Sequence, residues 1–249
     1  GKGNGVSFLI FAGIVAAIPT HMAQLQFTFN SSQIIELIAY AIAGLVLIAG
    51  VVFITEAERP IPVSYARQVR GDRVIGGGAT FLPLKMNQAG VIPIIFALSI
   101  LLFPQLAASF LSGLSYGWAH TVANALTAFL QNSWLYAFVY FILVVVFTYF
   151  YTAVTFDPEK MSNDLQKSGA FVPGIRPGMA TTEYISRIVT RITLVGAVSL
   201  GVIAVFPLIM KSITGITSLA LGGTALLIVV SVVIDLIKRI DAQLSMKEY

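Results

Sequence analysis

"WLYAFVYFILVVVFTYFYTAVT", Trp134 to Thr155, runs for 22 residues without one charged side chain. A soluble core helix of this length would show a charged face with the helical period. This stretch shows none, and about 20 apolar residues suffice to cross a bilayer. It reads as a transmembrane helix. Five further stretches read the same way: Val6–Phe27, Ile34–Ile54, Ala89–Leu111, Ile185–Met210 and Leu219–Ile237. The first carries Pro19, His21 and Gln24 and is expected to be a short or broken helix.

Composition agrees with that count. The 249 residues are 57% hydrophobic and only 10% charged, with mean hydropathy +0.88. Soluble domains carry charge on about a quarter of their residues. The expected fold class is therefore an all-α polytopic membrane protein with six transmembrane helices. The chain has no cysteine, which removes disulfides, thiolate catalysis and most zinc sites. It opens Gly-Lys-Gly-Asn, with neither an initiator Met nor a signal peptide, and reads as a fragment of a longer chain.

Charge sets the orientation. The connection Thr55–Gln88 holds Arg59, Arg67, Arg70, Arg73 and Lys85, and Phe156–Tyr184 holds Lys160, Lys167 and Arg176. Arg187 and Arg191 stand just inside the next span, the tail adds Lys238, Arg239 and Lys247, and Lys2 lies at the start. The other three connections hold only Lys211, with Glu36 just inside the second span. Lys and Arg favour the cytoplasmic side, so both ends and both long loops are expected there. Among the outer connections, Phe27–Ser32 is a short polar turn. Ser112–Ser133 is longer, with Trp118 and Trp134 where an interfacial aromatic belt would put them.

The first long loop reads "RPIPVSYARQVRGDRVIGGGATFLPLKMN". Val63, Tyr65 and Arg67 alternate with Ser64, Ala66 and Gln68, and Val74 and Ile75 follow Arg-Gly-Asp-Arg. That pattern predicts a β-hairpin turning near Gly71-Asp72. A lone hairpin is marginal in water, so the second loop or a partner must support it. Gly76-Gly77-Gly78 lacks the Lys-Ser/Thr of a P-loop and no helix follows at once.

In the second loop, "FDPEKMSNDLQKSG" predicts a short helix: Asp157 as N-cap, Pro158 in the first helical position, Gly169 as the stop. It leads into "KSGAFVPGIRPG", Lys167 to Gly178. Pro173 and Pro177 fix φ, while Gly174 and Gly178 permit unusual backbone angles. The result is a stiff protrusion presenting Arg176. A basic loop that only sets topology has no need of such stiffness.

No enzyme is legible. The only histidines, His21 and His120, lie near or in outer connections, and no aspartate lies mid-span. Asp235, near the end of the last span, reads as a surface ion-pair partner of Lys238 and Arg239. No catalytic residue, metal site or cofactor is predicted. Ion-coupled carriers usually place ionisable groups at the midplane. Here Ser7, Ser99, Thr148, Thr193 and Ser199 stand there instead, all able to bond back to a helix carbonyl. Composition leaves open a carrier of neutral substrates and a channel closed by an apolar constriction.

Four stretches carry a resemblance in matching order and spacing: "GKGNGVSFLIFAGIVAAIP" (Gly1–Pro19), "LPLKMNQAGVIPIIFALSILLFP" (Leu82–Pro104), "KSGAFVPGIRPG" and "GGTALLIVV" (Gly222–Val230). They resemble the SecY family in its bacterial form, the channel subunit of the Sec protein-conducting translocon. The resemblance implies that residues 1–30 correspond to the family's fifth helix. Residues 31–249 would be its C-terminal five-helix half, with cytoplasmic loops 55–88 and 156–184. The whole would be a ten-helix, pseudosymmetric channel in the bacterial plasma (inner) membrane.

By the same resemblance, Val6, Ile10, Ile95 and Ile228 fall at the aliphatic ring that seals the pore. Asn87, Gln88 and Pro93 fall at the lateral gate and signal-sequence region, with Pro93 allowing the gate helix to bend. Arg67, Arg70, Arg73 and Arg176 fall on the docking surface for the motor SecA and for the ribosome with its ribosomal RNA. Implied partners are also SecE, SecG, signal sequences, nascent chains, membrane lipid and the N-terminal part of the same chain. The implied activity is passive: conducting unfolded polypeptides across the membrane and releasing membrane segments sideways into it. The sequence departs from the family at the hairpin tip, where Asp72-Arg73 replaces the paired arginines of many relatives.

Overall fold

The computed structural model describes residues 34–65, 68–70, 73–75 and 78–214, with isolated positions nearer the two ends. The expected spans Val6–Phe27 and Leu219–Ile237 lie outside the described residues, apart from those isolated positions. In chain order the elements are α1 (Ile34–Glu56), β1 (Glu58–Tyr65), β2 (Gln68–Arg70), β3 (Arg73–Ile75) and β4 (Ala79–Lys85). They continue as α2 (Ile92–Ser112), α3 (Gly117–Gln131), α4 (Ser133–Thr155), α5 (Pro158–Lys167), β5 (Ala170–Phe171) and α6 (Met179–Thr214).

The quoted stretch is helical from Ser133, capped by Asn132, whose Oδ1 accepts from the Leu135 N–H at 3.2 Å. Aromatic and β-branched residues are poor helix formers in water. Inside a bilayer a helix is one of the few ways to satisfy every backbone group. Among the described residues, three helical stretches are long and apolar enough to cross a membrane: Ile92–Ser112, Ser133–Lys167 and Met179–Ile213. The chain is a multi-pass membrane protein. In α1 the shorter apolar stretch is Ala41–Glu56.

At 36 residues α6 is about 54 Å long, well beyond a hydrocarbon layer of roughly 30 Å. Its first turns supply the difference. Glu183 and Arg187 form an exposed i,i+4 ion pair at 3.0 Å there, and Arg191 is exposed one turn later. The helix therefore starts before the apolar run Ile185–Met210 and ties the membrane layer to the extramembrane one.

Four helices share a core. Leu47 and Val51 of α1 meet Ile94, Ala97 and Leu101 of α2, Ala137, Tyr140 and Val144 of α4, and Leu200, Ala204 and Val205 of α6. Small residues let the backbones approach, as membrane interfaces favour. The buried Thr148 satisfies its hydroxyl on the Val144 carbonyl at 2.7 Å. One approach is closer than any side chain allows: a Cβ on Gly196 of α6 would sit 2.5 Å from the Met86 carbonyl oxygen. Gly196→Ala should lower stability by about 1–3 kcal/mol through this clash with backbone. Gly50→Ala, whose Cβ would meet only Ile203 at 3.6 Å, should be tolerated. Thermal unfolding of the two variants in detergent checks the pair, and equal loss in both would remove the clash as the cause.

Candidate functional site

Outside the membrane layer the two long loops build one module. β1 pairs antiparallel with β4 from Glu58↔Lys85 to Ser64↔Ala79, and β5 joins the other edge of β1 at Ser64↔Phe171 and Tyr65↔Ala170. Three prolines, Pro60, Pro62 and Pro83, sit inside these strands. They are tolerated for a definite reason. Tyr65 N–H donates to the Gly78 carbonyl and Met86 N–H to the Ala57 carbonyl, so odd positions of β1 and even positions of β4 bond across the ladder. The prolines hold the alternate positions, where a missing N–H faces away from the partner strand.

The middle odd residues of β1, Ile61 and Val63, also point to a buried face. Ile61, Val63 and Leu84 are almost fully buried. Ile61 and Leu84 form a second core with Val172 and with Ile185, Val189 and Ile192 at the foot of α6, and Leu82, Met161, Leu165 and Ile175 pack around it. The second loop is thus what supports the first. β2 and β3 pair antiparallel, with Arg70 opposite Arg73 in register.

The short helix and the stiff turn have the expected caps. Asp157 Oδ1 accepts from the Glu159 and Lys160 N–H groups, both at 3.0 Å, and Gly169 ends α5 with φ 69°. Val172-Pro173-Gly174-Ile175 closes with Ile175 N–H to the Val172 carbonyl at 3.1 Å. Gly174 there has φ 83°, as the third residue of a type II turn requires. The buried Ser162 hydroxyl of α5 donates to the Gly178 carbonyl at 3.0 Å, and Thr181 Oγ1 donates to the Arg176 carbonyl at 2.9 Å. The Arg176 backbone is held from α6 while its side chain is exposed. Sequence reasoning missed Ser162 and Thr181, since a serine in a polar helix carries no distinguishing pattern.

At the foot of α2, Asn87 is buried, and its Nδ2 donates to the Gly90 carbonyl at 3.2 Å. Its Oδ1 is buried without a partner among the described residues. Gln88 is half-buried. The expectation that Pro93 lets this helix bend needs correction. Pro93 is buried in the first turn of α2, where its absent N–H costs nothing and the fixed φ starts the helix. The interior proline is Pro104. One turn on from the start, Ile95 is half-buried beside the core residue Ile94. The structure brings Arg176 and the β1–β4 sheet into one module and sets Asn87 and Gln88 beside it. Of the other named positions, Arg70 and Arg73 are described by strand register alone, and Val6, Ile10, Ile228 and Arg67 lie outside the described residues.

Fold and site together define a polytopic helical membrane protein with a compact extramembrane module built from its two long loops. The SecY family model matches residues 1–237, and the chain belongs to the SecY family. It is 42% identical over 257 residues to the protein translocase subunit SecY of Mycobacterium tuberculosis, covering 100% of this chain and 57% of that one. It is 41% identical over 256 residues to the Staphylococcus aureus protein of the same name, covering 100% of this chain and 58% of the relative. The chain thus spans a little over half the length of these curated relatives. Among solved structures it resembles a SecY protein described for a plug domain that stabilises the closed translocation channel. That match has a TM-score of 0.60 at 18% identity, over 95% of this chain and 59% of the other. A solved protein-conducting channel matches with TM-score 0.61 at 18% identity, over 95% and 58%.

Proposed function

We propose that this chain supplies the C-terminal part of the pore-forming subunit of a protein translocase, a passive channel for unfolded secretory polypeptides that also releases membrane segments sideways into lipid. The observation that carries the reading is the SecY match over residues 1–237, together with relatives named as translocase subunits. Six spans complete the layout, residues 1–30 acting as the fifth helix and 31–249 as the C-terminal half of a pseudosymmetric ten-helix channel. Both ends and the sheet module face the cytoplasm of a bacterial plasma membrane, as the Lys/Arg asymmetry favours.

Ile95, with Val6, Ile10 and Ile228, forms the seal. A narrow aliphatic collar is costly to wet and so blocks ions, yet has no directional bonds and closes around any peptide. Asn87 and Gln88 meet the signal sequence where α2 enters the membrane. The module is the docking surface for SecA and for the ribosome. Arg176 on its pinned turn offers a planar fork to a carboxylate or an RNA phosphate. SecE and SecG complete the assembly.

Translocation of a preprotein into vesicles holding the complete protein with its partners tests the reading. Saturable uptake of a small solute without polypeptide transport would overturn it. Orientation is tested separately, and the absence of native cysteine in this chain leaves few competing thiols. Single cysteines at Gly77 and Gly174 should label only from the cytoplasm, and at Ser31 and Gly117 only from outside. Labelling of Gly77 from outside would reverse the module and remove the docking role.

A further inference from the structure

Between two membrane-crossing helices, the segment 112–133 carries no Asp, Glu, Lys or Arg. Most of it is α3, a helix of 15 residues packed on α2. Three stripes run along it, each with the i, i+4, i+7, i+11 spacing of one helix face. Ala119, Ala123, Leu126 and Leu130 form the packed stripe, the two alanines being almost fully buried. His120, Asn124, Thr127 and Gln131 form a polar stripe on one side of it, exposed along its whole length. Trp118, Val122, Ala125 and Phe129 form an apolar stripe on the other side, exposed except for the half-buried Phe129.

A helix wholly in water has no use for an uncovered tryptophan–valine–phenylalanine stripe. One wholly in hydrocarbon would leave His120, Asn124 and Gln131 in a medium that cannot hydrate them. The segment's ends repeat the split. Tyr116 and Trp118 stack at 6.4 Å with both rings 63% exposed, and Trp134 is 65% exposed at the start of α4. Amphipathic rings settle at the headgroup level. The apolar stripe is flanked in sequence by the exposed Phe110 of α2 and the exposed Leu135 and Phe138 of α4, on helices long and apolar enough to cross a membrane.

We infer that α3 lies in the membrane–water boundary, with the Trp118–Val122–Phe129 stripe in lipid and the His120–Asn124–Gln131 stripe in water. Its occupant is the phospholipid interface itself, bound through apolar area and ring anchors without charge, and so with little dependence on anionic lipid. The inference does not rest on which side of the membrane the segment occupies.

The test uses the complete protein with its partners in vesicles of zwitterionic phospholipid. Single cysteines at Val122, Ala125, Asn124 and Gln131 carry an environment-sensitive fluorophore, quenched either by acyl-chain nitroxide lipid or by aqueous iodide. Labels at 122 and 125 should be quenched several-fold more by the nitroxide than those at 124 and 131, with the order reversed for iodide. Strong nitroxide quenching at all four would make α3 re-entrant, and iodide quenching at all four would make it a water-exposed loop. Protection of all four from both quenchers would mean a protein covers it. Each of these results overturns the inference. Because the four labels occupy exposed positions, thermal unfolding should match across the variants, and a second set at Thr121 and Ala128 should give intermediate quenching by both agents.

Discussion

Arg176→Glu should leave membrane insertion and pairing with SecE intact while crippling polypeptide export driven by SecA or coupled to the ribosome. The physical reason lies in how Arg176 is held. Its carbonyl is tied to Thr181 Oγ1, the preceding turn is closed at Gly174, and Ser162 pins the Gly178 carbonyl, so the side chain projects from an ordered base. Little entropy is then lost when a partner engages it. Reversal to Glu removes an attraction and adds a repulsion, costing roughly 2–5 kcal/mol at a desolvated contact. Arg176→Lys should fall between, since an ammonium cannot reproduce a bidentate fork. A residue that only set topology would tolerate both substitutions, because Lys160 and Lys167 remain on the same loop. Preprotein translocation into vesicles, with chain levels measured alongside, separates the cases. Near-normal export by the Glu variant would return the loop to a topological role.

Ile95→Asn in the complete protein should raise resting ion conductance and relax the demands made on signal sequences. Ile95 is half-buried, next to Ile94, which is fully packed, so the change falls at the margin of the core and not in it. Burying an aliphatic side chain is worth about 1.5–3 kcal/mol. Replacing one by an amide shifts the dry-to-wet balance of a narrow collar by on the order of tenfold or more. Ile228→Asn should act in the same direction. Planar-bilayer conductance and export of proteins with defective signals check both variants. Unchanged values in both would remove these residues from the seal.

Much of this was legible in the sequence because bilayers impose simple rules. The long uncharged runs gave α2, α4 and the apolar part of α6 to within a few residues. Asp157, Pro158 and Gly169 marked α5 because caps are local chemistry. What escaped was set by tertiary partners. Strand β1 was read only from Val63, because Pro60 and Pro62 argue against a strand until the ladder shows their nitrogens facing outward. Helix α3 was read as a bare connection, since alanine and threonine between two spans give no charge pattern. Pro93 was read as a hinge, although its place in the first turn makes it a helix starter. Gly196 drew no notice, because its role depends on a backbone segment more than a hundred positions away.

The most direct measurement is a photo-crosslinker placed at Ile95 of the complete protein while a preprotein is arrested part-way through. A second crosslinker at Phe103, 71% exposed on the same helix, serves as the comparison. If this chain lines a polypeptide path, position 95 should crosslink to the arrested preprotein and position 103 should crosslink to lipid. Preprotein adducts at 103 and none at 95 would contradict it.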